Sequence, residues 1–402
     1  MNIAILHSAF TESGGAERVV LNQARNLKAL GHQVTCYVAA VNRRKCFPEE
    51  ISSTHIETFL CNLKLPKLEY VISLFLITLL ASIVSRKLKG YDTIICHHQP
   101  TPSVAYQAFK RYGIPYISYM HHPPRFIYLR NVEKTIGWEY DWNMRILNSF
   151  EKRFKLVKRL DYLAITNARA VLVNSQNIAK EVAGIYGVKP IVCYPGVDLP
   201  LSVNKQTSDT LKKLGISKPF ILSTSRHTPH KHLDWLITIA GNIAEELPGI
   251  SLVLVGGFHP TYTLKLKQMA GKLDRTKIIF LNYITNQELS VLYREASVYA
   301  FTAPDEDLGL GPIEAMQYGT PVVCWDDGAG PAETVQDGVV GFKVKPYNLQ
   351  AFAVKIQEIL KNDELRQEMG EKAKVYARQN FNWAKHAKTL EDILKIYKVG
   401  DK

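Results

Sequence analysis

The sequence lacks any apolar stretch long enough to cross a membrane, and it lacks a recognisable leader. Its longest apolar run, Val71–Val84, has 14 residues, whereas a membrane-spanning helix needs about 20. The chain enters an apolar strand at residues 2–7 without a basic segment or a small-residue cleavage site, so we expect a cytoplasmic protein. The run at 71–84 predicts a buried or partly buried helix, and the basic residues after it leave peripheral membrane contact open as the alternative.

Cysteine is scarce and forms no metal-binding or disulfide pattern. There is no Cys-x-x-Cys pair, and several of the six cysteines lie inside apolar runs. These spacings predict reduced, buried thiols. Zinc-finger spacing, RNA-recognition signatures, low-complexity tracts and internal repeats are also missing, so nucleic acid is not an expected partner.

Acidic residues are under-represented in the first half of the chain. Residues 1–200 contain 25 Lys and Arg against 14 Asp and Glu, whereas 201–402 contain 25 against 23, within a net charge of +13. The excess of positive charge predicts attraction to an anionic acceptor or an anionic membrane surface. A basic face that serves only solubility is the alternative explanation.

Two β-α-β patterns divide the 402 residues into two predicted domains. The first has strands at 2–7 and 33–40 around a helix at 16–30, and the second begins with a strand at 219–225. Such units predict parallel sheets in an α/β fold. The polar segment 199–208 is the predicted linker between the domains.

An acidic loop followed by a short helix is the most informative stretch. Pro312 suits the first helical position, which makes Gly311 the predicted N-cap and places Glu314 in the first turn. Backbone N–H groups at that helix start can face an anion. Glu314 also has a purely structural explanation, since the helix dipole favours acids there. Glu306 lies among three consecutive acids after an apolar strand, which is where parallel sheets bind ligands.

This stretch, EDLGLGPIEAMQYGTPVV at residues 306–323, resembles the donor-sugar motif of the retaining glycosyltransferases of family 4, which have the GT-B fold. The resemblance implies that Glu306 contacts the hydroxyl groups of the donor sugar and that Glu314 contacts the ribose. The helix N–H groups would then bind the diphosphate. The donor-binding positions so implied within the loop and helix are Leu308, Gly309, Leu310, Gly311 and Glu314.

Two further motifs resemble family 4 mannosyltransferases that build lipid-linked or lipopolysaccharide glycans. GGAER at 14–18 resembles their first loop, which implies that Gly14 and Gly15 lie against the donor diphosphate. YMHHPPRF at 119–126 implies an active-site histidine at His121, with the adjacent His122 one residue away as an ambiguity, and an acceptor phosphate at Arg125. From the residues alone, Arg125 has an alternative role in an ion pair with Glu133 or Glu139.

Neighbouring histidines at the ends of two predicted strands, at 97–98 and 121–122, raise the question of a metal. Adjacent residues on a strand point to opposite faces, and no acid joins the histidines at ligand spacing, so no metal is expected.

Two cations follow the first strand of the second domain. Arg226 and Lys231 can neutralise a diphosphate, the first through a forked contact and the second as a point charge. In family 4 the matching residues stabilise the leaving nucleotide diphosphate. His227, His230 and His232 lie in the same loop and are assigned no role beyond added positive potential when protonated.

The sequence thus predicts an α/β protein of the GT-B type, with two doubly wound Rossmann-like domains facing a central cleft. Residues 1–200 form the predicted acceptor domain, onto which a C-terminal helix at 384–402 packs back, and 201–383 form the predicted nucleotide-sugar domain. The resemblance implies metal-free, cofactor-free retaining transfer of a hexosyl group to a glycan or lipid-linked acceptor. The preferred donor is GDP-mannose; the alternatives are a UDP-sugar transferase (glucosyl or N-acetylglucosaminyl), a non-catalytic sugar-nucleotide-binding protein and an epimerase.

Overall fold

The structure, a computed structural model, describes residues 1–60, 77–125, 127–130, 155–198 and 207–396. These residues fall into two compact units. The first lies within Met1–Leu129, Ile146–Gly196 and Trp383–Lys402, and the second within Arg130–Arg145 and Val197–Asn382. The first unit is therefore built from segments on both sides of the second in the sequence.

A seven-stranded parallel sheet forms the centre of the first unit, in the order β3-β2-β1-β4-β5-β6-β7. Its strands are β1 (Asn2–Leu6), β2 (Gln33–Val38), β3 (Ile56–Thr58), β4 (Thr93–Cys96), β5 (Tyr116–Met120), β6 (Ala170–Val173) and β7 (Ile191–Val192).

Helices cover both faces of this sheet. They are α1 (Gly15–Ala29), α2 (Pro48–Ser53), α3 (Ala81–Val84), a 3₁₀ turn (Ser85–Leu88), α4 (Thr101–Tyr112), α5 (Lys155–Thr166), α6 (Gln176–Tyr186) and α15 (Trp383–Ile396). Alternate residues of β1 enter different cores: Ile3 and Ile5 pack with α1 and α15, and Ala4 and Leu6 pack with α3 and α4. This alternation is the period of a strand that is buried on both sides.

A six-stranded parallel sheet, in the order β10-β9-β8-β11-β12-β13, forms the centre of the second unit. Its strands are β8 (Phe220–Thr224), β9 (Ser251–Val255), β10 (Lys277–Leu281), β11 (Val298–Phe301), β12 (Val322–Trp325) and β13 (Gly341–Val344). Its helices are α7 (Thr207–Lys213), a 3₁₀ turn (Pro229–Lys231), α8 (Leu233–Glu246), α9 (Pro260–Ala270), α10 (Asn286–Glu295), α11 (Leu310–Gln317), α12 (Gly330–Thr334), α13 (Leu349–Lys361) and α14 (Asp363–Asn380).

Only part of the apolar run at 71–84 lies within the described residues. From residue 77 onward, Ile77, Ala81 and Val84 are buried, whereas Leu79 is 63% exposed and Ile83 56% exposed. The described part is thus partly buried, as the sequence predicts. Among the described residues, no helix is both long and apolar enough to cross a membrane.

Each sheet reverses its strand order once. The reversal lies between β1 and β4 in the first unit and between β8 and β11 in the second. Ligands of open α/β sheets bind beyond the carboxyl ends of the strands at such a switch point. The residues that follow these four strands are therefore where a site is expected.

Candidate active site

At the switch point of the second sheet, a lysine and a glutamate form an ion pair. Lys231 follows β8 and Glu306 follows β11, and Lys231 Nζ lies 2.5 Å from Glu306 Oε2. Their side chains are 14% and 22% exposed, so both are largely shielded but still open to a ligand. Two of the predicted catalytic residues are thus brought together.

Hydrogen bonds from Thr302 hold the loops that carry this pair. The Thr302 hydroxyl donates to the carbonyl oxygen of His232 at 3.0 Å, next to Lys231 in the chain. The Trp325 indole N–H donates to the Thr302 carbonyl at 2.9 Å. Since both Thr302 and Trp325 are buried, these bonds fix the loop after β8 to the ends of β11 and β12.

The acidic loop itself is fixed by polar contacts on either side of Glu306. Asp305 adopts a left-handed backbone conformation, with φ 49°, and its N–H donates to Asp327 Oδ2 at 2.9 Å. Burial raises the pKa of the Asp327 carboxyl. Arg130 forms ion pairs with both Asp305, at 3.4 Å, and Asp307, at 3.3 Å. The two acids that flank Glu306 therefore already share a cation.

Gly330, the first residue of α12, supports the same loop through a close backbone approach. Its N–H donates to the Glu306 carbonyl at 2.8 Å. A Cβ at Gly330 would lie 2.2 Å from Leu308 Cα, a separation that van der Waals contact forbids. The backbone of Leu308, one of the predicted donor-binding residues, therefore rests directly on this glycine.

We expect Gly330→Ala to move the acidic loop and to lower the free energy of unfolding by about 3 kcal/mol, because the clash involves backbone and has no flexible side chain to relieve it. Gly257→Ala is the matched control, since a Cβ there meets nothing within 4 Å. Denaturant unfolding of both variants measures the difference. Equal stabilities for the two variants would contradict this account of Gly330.

The helix of the acidic motif begins two residues before the predicted start. α11 runs from Leu310, with Gly309 as its N-cap, so the prediction of Gly311 as N-cap and Pro312 as first helical residue is wrong. Gly309 has φ 78°, and this left-handed turn lets the chain enter the helix at Leu310. Pro312 remains compatible because it is third in the helix, where backbone N–H groups have no intrahelical partner. Glu314 is consequently the fifth residue and lies beyond the first turn.

A network of hydroxyl groups holds Glu314 in place. The Tyr293 hydroxyl donates to Glu314 Oε2 at 2.6 Å and also lies 2.8 Å from Thr224 Oγ1. Tyr299 is 2.8 Å from the same Thr224 oxygen. Burial raises the pKa of Tyr293, and the Glu314 carboxylate adds to the effect. The phenol therefore stays protonated, and it ties Glu314 to the carboxyl end of β8. Gly311 leaves room for this network, since a Cβ there would lie 2.2 Å from the Tyr299 hydroxyl oxygen.

Arg226, the other predicted cation, is exposed in the loop after β8, and within the described part of the chain it forms no ion pair or hydrogen bond with Glu306. The three histidines of that loop differ from one another. His227 is buried and stacks on Phe258, and burial lowers its pKa to about 4. His232 stacks on Trp235 with 3.8 Å between ring centroids. His230 is exposed in the loop. The low pKa of His227 does not favour positive charge on it near neutral pH, and the contribution of the other two histidines stays a prediction.

In the first unit, histidines follow three adjacent strands of the sheet. His7 comes directly after β1, His97 after β4 and His121 after β5. All three are buried, and His121 Nε2 lies 3.1 Å from His97 Nδ1. Burial lowers the pKa of both His97 and His121 well below the usual value. His121 is thus a neutral imidazole held by another neutral imidazole.

The rings of His121 and His122 both lie against His98, with centroid distances of 4.8 Å and 4.7 Å. The expectation that these adjacent histidines point to opposite faces is therefore wrong, because β5 ends at Met120 and the two residues lie beyond the pleat of the strand. His122 Nδ1 lies 2.8 Å from the Pro123 carbonyl oxygen. Among the residues that the structure describes, no group of three His, Cys, Asp or Glu side chains is placed to hold a metal ion.

Gly14 and Gly15 lie at the start of α1, with Gly14 as the N-cap in an extended conformation. A Cβ on Gly14 would lie 2.4 Å from Glu17 Oε2, so the glycine leaves space for that carboxylate. Glu17 in turn lies 3.7 Å from His7 Nε2. The loop after β1 is thereby packed against the histidines that follow the strands.

Arg125 is 7% exposed and forms an ion pair with Glu181 on α6. The alternative partners suggested by the sequence, Glu133 and Glu139, lie outside the described residues. Arg125 is therefore fixed by a carboxylate, and an acceptor phosphate would have to share this guanidinium.

Sequence reasoning missed several residues that hold the site together. They are His7, Arg130, Thr224, Tyr293 and Tyr299. A signal existed for His7, since it follows an apolar strand as His97 and His121 do. The others are single polar residues on helices, strands or loops, and their partners are distant in the sequence.

Comparison with known proteins defines the class. The model described as "Glycosyltransferase Family 4" matches residues 13–200, and the model described as "Glycosyl transferases group 1" matches residues 207–376. Two Rossmann-like domains with parallel sheets, each matched by one of these models, are those of a glycosyltransferase with the GT-B fold. The chain belongs to the glycosyltransferases and has a family 4 domain followed by a group 1 domain.

The similar proteins include enzymes with different substrates. A D-inositol 3-phosphate glycosyltransferase of Salinispora arenicola is 24% identical, with 98% of this chain and 89% of that protein covered. The alpha-1,3/1,6-mannosyltransferase ALG2 of Dictyostelium discoideum is also 24% identical, with 98% of each covered. Among solved structures, Anabaena HepE in complex with UDP-glucose is 22% identical, with a TM-score of 0.76 over 98% of this chain and 100% of that one. At that identity the likeness to HepE supports the fold alone.

Proposed function

We propose that this glycosyltransferase is a retaining hexosyltransferase that takes mannose from GDP-mannose and transfers it to a glycan or lipid-linked acceptor. The observation that carries the donor site is the pair formed by Lys231 and Glu306 at the switch point of the second sheet, 2.5 Å apart. A cation held there by a carboxylate is suited to a ligand that has both phosphate and hydroxyl groups.

The proposed roles in the second unit follow from charge and position. Lys231 and Arg226 stabilise the negative charge that develops on the departing nucleotide diphosphate, together with N–H groups at the start of α11. Glu306 accepts hydrogen bonds from the sugar hydroxyls, and Glu314 accepts from the ribose. This is electrostatic catalysis, which leaves a general base little to do and needs no metal ion.

The first unit supplies the other proposed contacts. His121 is neutral and buried, so it forms a hydrogen bond with a sugar hydroxyl without adding charge. Gly14 and Gly15 allow a phosphate to approach the backbone at the start of α1. Arg125 is the proposed contact for an acceptor phosphate. The basic composition of residues 1–200 supports an anionic acceptor and, as a further proposal, peripheral contact with a membrane.

The preference for GDP-mannose depends on the GGAER and HHPPR stretches and agrees with the mannosyltransferase among the relatives. A UDP-sugar is the second candidate, since HepE was solved with UDP-glucose. The acidic motif is compatible with both donors, GDP-mannose and a UDP-sugar, so the nucleotide base has to be identified by experiment.

We expect a nucleotide sugar to raise the melting temperature of the purified protein, because a ligand that binds only the folded state stabilises it, by about 2.7 kcal/mol at 100 times Kd. GDP-mannose, UDP-glucose, UDP-N-acetylglucosamine and the bare nucleotides are compared on the wild type and on Lys231→Ala. The shift should depend on the base and should be weaker in the variant.

Lys213→Ala is the control, since it removes a lysine from a more exposed ion pair, with Glu288, in the same unit. No shift with any nucleotide at millimolar concentration would reject the proposed donor site. The anomeric configuration of the product, read by NMR, then tests retention.

A further inference from the structure

A line of buried hydrogen bonds leads from His121 to the last helix of the first unit. His121 Nε2 lies 3.1 Å from His97 Nδ1, and His97 Nε2 lies 2.9 Å from Gln23 Oε1. Gln23 Nε2 lies 3.1 Å from His386 Nε2, and His386 Nδ1 lies 2.8 Å from the Tyr194 carbonyl oxygen. Gln23 is on α1 and His386 is on α15, so neither follows a strand of the sheet as His97 and His121 do.

The Tyr194 end of the line determines the direction of every bond in it. A backbone carbonyl can only accept, so His386 must carry its proton on Nδ1. His386 Nε2 then accepts from the Gln23 amide, and Gln23 Oε1 accepts from His97 Nε2–H. This leaves His97 Nδ1 as an acceptor, to which His121 Nε2–H donates. With the opposite direction, the lone pair on His386 Nδ1 would face the carbonyl oxygen at 2.8 Å, a contact between two acceptors.

The direction holds only if the imidazoles are neutral, and burial ensures this. His97 is fully buried and His386 is 2% exposed. Burial lowers the pKa of His386 to about 4 and the pKa of His97 well below its usual value. Cys193 lies 3.3 Å from His386 Nδ1, but burial raises the pKa of its thiol to about 12. Near neutral pH, each ring therefore carries a single N–H and the thiol carries no charge.

We propose that Gln23, His97 and His386 are positioning residues that hold His121 in the tautomer with its proton on Nε2. The Nδ1 lone pair of His121 is then left to accept a hydrogen bond from a hydroxyl group of the donor sugar. The proposal deepens the role of His121 given under "Proposed function" and rests on it. It also sets a requirement for the ligand. Because His121 Nδ1 accepts, the ligand group that contacts it must be a hydrogen-bond donor.

Reversal of the tautomer would affect the whole line. If His121 carried its proton on Nδ1, His121 Nε2 and His97 Nδ1 would both be acceptors unless His97, Gln23 and His386 changed together. A buried polar group left without a partner destabilises the folded state. The carbonyl of Tyr194 thus determines which atom of His121 is available to a ligand, although the two residues belong to different segments of the chain.

NMR of the free protein, labelled with ¹⁵N in histidine and glutamine, tests the direction without substrate. Scalar coupling across N–H···N hydrogen bonds should join the His121 Nε2 proton to His97 Nδ1, and a Gln23 amide proton to His386 Nε2. Spectra of His121→Gln and His386→Gln identify the signals. A proton on His121 Nδ1, or on His386 Nε2, would overturn the proposal.

Kinetics of two variants at one position separate positioning from packing. Gln23→Met keeps the length of the side chain but removes the acceptor for His97 Nε2–H. We expect two tautomers of His121 and a decrease in kcat of about tenfold, with KM for the donor changed by less than about twofold. Gln23→Glu restores an acceptor for His97 Nε2–H, and its carboxyl group meets His386 Nε2 either as an O–H donor or as a carboxylate paired with protonated His386. It should therefore restore the single His121 tautomer and recover most of kcat.

These experiments test the line of hydrogen bonds separately from the proposed function. A single His121 tautomer together with wild-type kcat in Gln23→Met would overturn the positioning role of Gln23, His97 and His386. If Gln23→Met does not fold, the couplings in the wild type and the tautomer in Gln23→Glu still decide the direction. If the couplings are present but His121→Ala transfers sugar at the wild-type rate, the role of His121 in catalysis fails while the direction of the hydrogen bonds stands.

Discussion

Replacement of Lys231 by alanine should lower kcat/KM by about a thousandfold, which corresponds to about 4 kcal/mol of transition-state stabilisation. The loss is large because Lys231 is 14% exposed, so little water can take the place of its charge when the diphosphate leaves. The effect should fall mainly on kcat, since the charge on the diphosphate develops as the bond to the sugar breaks. Initial rates with the donor identified by thermal shift measure it.

Two variants make this result specific. Lys213→Ala removes a lysine that is 73% exposed and pairs with Glu288, and exposed pairs contribute no more than about 1 kcal/mol, so its rates should stay within about twofold of the wild type. Glu306→Gln keeps the shape of the partner but removes its charge, and it should also be slow. Rates for Lys231→Ala within about tenfold of the wild type would show that Lys231 does not act on the leaving group.

Replacement of His121 by alanine should lower kcat by about a hundredfold, whereas His122→Ala should change it by less than about threefold. The sequence leaves these two neighbours hard to separate, but their hydrogen bonds differ. His121 Nε2 lies 3.1 Å from His97 Nδ1, within a buried network. His122 Nδ1 lies against the Pro123 carbonyl, which its own loop supplies. Of the two, only His121 is therefore oriented by a hydrogen bond with a residue that follows the neighbouring strand.

Both histidine variants are measured at saturating donor, with the melting temperature taken in the same buffer. Removal of a buried imidazole from a network also lowers stability, so rates are compared at a temperature at which both variants are folded. A larger loss for His122→Ala than for His121→Ala would reverse the assignment within the YMHHPPRF stretch.

Much of the fold could be predicted because it follows from local patterns of apolar and polar residues. Apolar strands alternate with amphipathic helices, and the strands that carry Glu306, Lys231 and His121 end where polar residues begin. Parallel pairing then places those residues at one edge of each sheet. The position of the ion pair between Lys231 and Glu306 follows from this edge.

The remaining features depend on contacts that no local pattern contains. Tyr293 meets Glu314 because α10 and α11 pack side by side, and Gln23 meets His386 across 363 positions of sequence. The predicted start of α11 differs from the structure for another reason. Proline favours the first turn of a helix, but the left-handed turn at Gly309 begins the helix two residues earlier, and proline fits the third position as well.

Helix α15 belongs to the first unit, and this has a consequence for the order in which the protein is made. Residues 1–196 emerge from the ribosome first, yet Leu390, Ile393 and Leu394 of α15 complete the core formed by α1 and β1. Translation of Val197–Asn382, which makes up most of the second unit, separates the two. During that interval, α1 exposes apolar surface in a nascent chain, and such surface is what chaperones bind and what leads to aggregation. Until then Gln23 also lacks its hydrogen bond to His386. The hydrogen bonds that orient His121 are therefore complete only after α15 has been synthesised and has docked.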